Sequence, residues 1–122
     1  MKALIFAALI STSAFADVHP STQETRESAL KIQHALEMFY TDCNEFPTTE
    51  QGLTALMVPP KDGCTNWGPD SYMTREVPLD AWNRPFHYKR LGRSQIVLWS
   101  LGADNAEGGI GDATDIRLES HL

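Results

Sequence analysis

Between Leu101 and Ile116 the chain gathers Asp104, Glu107, Asp112 and Asp115 among four glycines. Carboxylates at this density suit a hard cation. Calcium takes about six to eight oxygens in a loose shell, drawn from carboxylates, backbone carbonyls and water. Glycines let the backbone curl so that carbonyls can point inward. The order is not that of an EF-hand: two and four residues after Asp104 stand Ala106 and Gly108, and no Glu closes the loop. The glycine spacing builds no phosphate cradle, and a carboxylate-lined loop would repel phosphate. Composition alone fits a calcium loop and a solvated turn equally well.

The other reactive residues are sparse. Cys43 and Cys64 are the two cysteines. An even count in an oxidising compartment suggests a bridge, and closing a loop of this size stabilises a fold by about 3 kcal/mol in the chain-entropy model. The alternatives are a redox pair or metal thiolates. The spacing is far longer than C-x-x-C, and no His/Cys cluster lies nearby. His19, His34, His87 and His121 are scattered and there is no G-x-S-x-G, so no enzyme is expected.

These residues need elements to hold them. Residues 21–41 read as an amphipathic helix, with Ala29, Ile32, Leu36 and Phe39 on one face and Lys31, Gln33 and Glu37 off it. Ser21 and Glu24 form a capping-box pattern, and Glu24 and Glu27 suit the positive end of the helix dipole. The apolar stripe is expected to pack on a sheet and to bind no cofactor. Thr48 and Gln51 make a second capping box before Leu53, Leu56 and Met57, and Pro59-Pro60 ends that short helix. Residues 61–77 should form a long loop with Trp67 and Tyr72 pinned to the domain; for Trp67 the alternative is a contact with a partner. Phe86–Lys89 and Gln95–Ser100 read as an antiparallel hairpin turning at Gly92, and Arg117–Glu119 as a short last strand. The order predicts an α+β domain.

At the front, Met1-Lys2 precedes the apolar run Ala3–Ile10, and Ala14-Phe15-Ala16 has the small-x-small form of a cleavage site. Residues 1–16 are therefore expected to be a signal peptide and residues 17–122 one globular domain beginning at Asp17. The run is shorter than the about 20 apolar residues of a membrane span, so a mature form without a span, in the periplasm or outside the cell, is expected. The formal charge is −6, and removal of Lys2 makes it one more negative. That balance argues against nucleic acid and anionic membranes.

Three segments carry a resemblance. Phe46-Pro47-Thr48-Thr49-Glu50-Gln51-Gly52-Leu53-Thr54-Ala55-Leu56, then Pro78-Leu79-Asp80-Ala81-Trp82-Asn83-Arg84-Pro85-Phe86-His87-Tyr88, then Ser100-Leu101-Gly102-Ala103-Asp104 with Gly108-Gly109 and Asp115-Ile116, occur in that order. Together they resemble the major pseudopilin, the G subunit, of type II secretion systems. The resemblance implies a long N-terminal helix laid on a small antiparallel sheet. It also implies one Ca²⁺ ion holding the C-terminal segment, with Asp104 as a side-chain ligand, Leu101 as a carbonyl ligand, and Asp112 and then Asp115 as further ligands. Ile110 stands where the family usually has Glu, and Ala113 where an acid is often found. Asn83 replaces the Gly of the family's D-P-W-G corner, a tolerable exchange because Asn accepts left-handed backbone angles. The cysteine pair is not a usual family feature. The family's Phe-Thr-Leu-x-Glu start and long apolar anchor helix are expected to be replaced here by the signal peptide. The function implied is a non-enzymatic accessory of type II secretion, with pseudopilins or other secretion components as partners. The alternative is a stand-alone exported calcium-binding or adhesion module.

Overall fold

The computed structural model describes residues 19–122; the expected signal peptide and a mature start at Asp17 lie outside these residues. Helix α1 runs Pro20–Cys43. Pro20 occupies its first turn, where a missing N–H costs nothing and the fixed φ is already helical. This starts the helix before Ser21, so the expected Ser21–Glu24 capping box does not form. His19 is the N-cap, without a side-chain cap, and no acid falls in the first turn. At the other end Asn44 takes φ 58° and donates its N–H to the Tyr40 carbonyl at 2.7 Å, a left-handed stop. The buried stripe is Thr25, Ala29, Ile32, Ala35, Leu36, Phe39 and Cys43, which contains every expected core residue.

The second capping box does form. Thr48 Oγ1 accepts from Gln51 N at 3.0 Å and Gln51 Oε1 accepts from Thr48 N at 2.9 Å. The box leads into a 3-10 turn, Leu53–Leu56, with Ala55 and Leu56 buried. The 57–86 stretch has no regular structure, yet it is tied down. Cys43 and Cys64 form a disulfide with Cα atoms 5.4 Å apart. Trp67 donates its indole N–H to the Ala55 carbonyl at 2.8 Å, and Tyr72 donates to the Asp42 carboxylate at 2.6 Å. Trp67 thus belongs to the domain's own packing.

Strands β1 His87–Gly92, β2 Gln95–Ser100 and β3 Ile116–His121 form one antiparallel sheet in the order β1-β2-β3. β1 runs further than its sequence suggests because a bulge between Arg90 and Gly92 absorbs Leu91 and lets Gly92 pair with Gln95. The core lies between α1 and the sheet, where Ile32, Leu36, Phe46, Leu56, Ile96 and Leu98 are fully buried. The architecture is α+β, as expected. Among the described residues no helix is long and apolar enough to cross a membrane.

Candidate metal loop

β2 and β3 are sheet neighbours, so residues 101–115 leave one strand and return to the next. A buried carboxylate sets the base of this excursion. Asp80 is only 4% exposed. Its Oδ1 accepts from Trp82 N at 3.0 Å and Arg84 N at 2.9 Å, and its Oδ2 accepts from the Ser100 hydroxyl at 2.7 Å. Ser100 Oγ in turn accepts from Gly102 N at 3.2 Å, and the Arg84 guanidinium donates to the Gly102 carbonyl. The corner therefore grips the loop at its first residues. Asn83 sits at φ 63°, the left-handed conformation expected of it. Residue types and spacing assign no role to Asp80, Arg84 or Ser100, although all three lie within the motifs that carry the resemblance.

The two legs of the loop are joined. Ala103 N donates to the Asp112 carbonyl at 2.9 Å. Gly102, at φ 80°, passes so close to the other leg that a Cβ there would lie 2.8 Å from the carbonyl groups of Ala113 and Thr114. Gly109, at φ 96°, approaches Ala113 in the same way. Only glycine fits either position.

Within this frame the expected ligands take different places. Leu101 is half-buried where the loop leaves β2. Asp104 is exposed and its Oδ1 accepts from Ala106 N at 3.1 Å, an Asx turn. Asp112 is exposed in the short 3-10 turn Gly111–Ala113. Asp115 is partly buried, with Oδ2 accepting from Gly108 N at 3.2 Å. Its Oδ1 is shut off from solvent and has no hydrogen-bond partner. Among the described residues no three His, Cys, Asp or Glu side chains come close enough to form a metal cage. A cation here would need backbone carbonyls and water beside one or two carboxylates, a donor set that calcium accepts. The histidines do not converge: His19 lies against Gly111, and His87 stacks on Trp99.

Comparison with known proteins gives a consistent picture. Residues 16–119 match the family model described as type II secretion system protein G. The chain is similar to type II secretion system core protein G of Pseudomonas aeruginosa, with 39% identity over 88 residues, 70% of this chain and 61% of the relative. It is similar to core protein G of Vibrio cholerae, with 34% identity over 99 residues, 77% of this chain and 65% of the relative. These matches span less than two thirds of the relatives' length. In fold it is similar to the crystal structure of the major pseudopilin from the type 2 secretion system of enterohaemorrhagic Escherichia coli. The TM-score is 0.64 with 28% identity, over 89% of this chain and 91% of the other.

Proposed function

Because this chain belongs to the type II secretion system protein G family, we propose that it serves protein secretion as a non-enzymatic, calcium-stabilised globular domain working in the periplasm. The observation that carries the reading is the continuous family match over residues 16–119, joined to a pseudopilin fold over 89% of the chain. Its partners in this reading are pseudopilins or other secretion components, met through the surface of the folded domain.

The unpartnered Asp115 Oδ1 supports the calcium part of the proposal. A shielded carboxylate oxygen without a donor is costly, and the loop offers it none. Of the expected ligands Asp104, Asp112, Asp115 and the Leu101 carbonyl, one or two carboxylates, completed by backbone carbonyls and water, would hold the ion. When bound, calcium supplies the positive charge that draws the two legs of the loop together. The protein's own residues do the rest. Asp80 and Arg84 fix the start of the loop, and Gly102 and Gly109 let the legs touch. A rigid loop then presents one surface to a partner instead of many.

Deleting the gene in its host tests the proposal. Secreted enzymes should accumulate in the periplasm and return to the medium on complementation. Unchanged secretion in the deletion strain would count against it.

A further inference from the structure

Cleavage at the expected site after Ala16 leaves a chain that begins Asp17-Val18-His19-Pro20. A histidine in third place from a free amine carries its own chemistry. The α-amine, the amide nitrogens of the second and third residues and the imidazole Nδ1 follow one another along the chain. Small fused chelate rings can bring all of them into one plane around a metal. In-plane nitrogens are the donor set of Cu²⁺ and Ni²⁺, and Cu²⁺ binds the tighter of the two. Neither Val18 nor His19 is proline, so both amide nitrogens carry a proton that the metal can displace. Calcium takes oxygen ligands and has no claim on such a site.

Asp17 and Val18 lie outside the described residues, and the start of α1 suits the chelate. His19 is exposed. It is the N-cap of α1, with extended backbone at φ −80° and ψ 132°, and its side chain makes no capping bond. Its carbonyl accepts from Gln23 N at 3.1 Å, whereas its own N–H precedes the helix and stands outside the helical ladder. Deprotonating that nitrogen therefore costs α1 no hydrogen bond. Pro20 has no N–H and begins the helix at once, so the chelate ends at His19 and the helix starts at the next residue. The far end of the imidazole faces the loop between β2 and β3: Nε2 stands 3.1 Å from the place a Cβ on Gly111 would take. Nδ1, beside Cβ, is the nitrogen at the near end of the ring.

We propose that the mature N-terminus, Asp17-Val18-His19, binds a Cu²⁺ ion. Its ligands are the Asp17 α-amine, the Val18 and His19 amide nitrogens and His19 Nδ1. Binding releases the displaced amine and amide protons to solvent and changes no oxidation state. The site rests on the export reading, since only cleavage after Ala16 exposes the Asp17 amine, and it does not depend on a role in secretion.

Copper titration of the protein purified from its host's periplasm and stripped with chelator tests the proposal. Intact mass first fixes the mature start, which should be Asp17. Stoichiometric Cu²⁺ should then give the visible absorption and electron paramagnetic resonance signature of four in-plane nitrogens, and excess calcium should leave it unchanged. His19→Ala removes the imidazole. Val18→Pro removes an amide proton and keeps every histidine. Each variant, confirmed by mass to start at residue 17, should lose the signature while keeping its helix content, because both positions precede α1. A mature chain that starts anywhere but Asp17 would overturn the site and the cleavage reading together. With the Asp17 start confirmed, absence of the signature, or its persistence in either variant, would overturn the site and leave the export reading standing.

Discussion

Asp80 holds three donors on a carboxylate shut away from water, and truncating it leaves those donors unpaired. Asp80→Ala should cost about 3 kcal/mol or more and loosen the loop at Gly102. Asp80→Asn keeps an acceptor for the two backbone N–H groups and should cost about 1 kcal/mol. Urea denaturation separates the two outcomes; equal and small losses would mean that the corner does not anchor the loop. Tyr88 and Tyr72 make a second residue-scale prediction. Burial pushes both phenols above their ordinary range, and for Tyr72 the hydrogen bond to Asp42 adds to the shift. The folded state therefore keeps protons that the unfolded chain releases near pH 10. The contribution of these two phenols to stability should be level below about pH 10 and fall as pH rises beyond it. Tyr88→Phe should make that alkaline fall shallower while costing about 1 kcal/mol at neutral pH for the lost bond to the Pro47 carbonyl. Parallel pH profiles for the two proteins would contradict this. Single residues are unevenly legible in the sequence. The left-handed Asn83 follows from residue type, whereas the isolation of Asp115 Oδ1 depends on how two distant loop legs pack, which no local pattern encodes.

For the elements, the 101–115 loop is the one whose state should change with conditions. In the calcium proposal the ion binds the folded form and stabilises it by about 2.7 kcal/mol at a hundredfold excess over Kd. For a domain of this size that raises Tm by about 10 °C or more. Chelator should reverse the gain and make the chain after Leu101 sensitive to protease. Asp104→Ala and Asp115→Asn should each abolish the calcium shift, and Asp112→Ala should weaken it. Identical melting curves with calcium and with chelator would reduce the loop to a solvated turn. The family resemblance ranks Asp115 last among the ligands; its orphaned oxygen sets it beside Asp104. The elements themselves are legible where periodicity governs them. The α1 stripe and β2 appear as expected because each is a direct consequence of which side chains must be buried. The earlier helix start has a local cause: Pro20 initiates a helix more simply than a Ser21 cap. β1 reads short in the sequence because a bulge hides one residue from a period of two.

The whole molecule joins an acidic, cross-linked domain to a pseudopilin fold. The disulfide ties the end of α1 to the long 57–86 stretch, a supplement that a modest core can use. The α+β architecture is legible because the helical apolar period of α1 gives way to a run rich in β-branched residues after a glycine turn. The partner is not legible in the same way, since recognition is a property of assembled surfaces and fold alone assigns none. The central claim is that this domain works with the secretion apparatus of its host. The most direct measurement is affinity capture of the tagged protein from cross-linked host envelopes, with mass spectrometry of the proteins it retains. The account predicts recovery of the host's pseudopilins or other type II secretion components, in larger yield with calcium than with chelator. Recovery of none of them, from cells that are actively secreting, would contradict it.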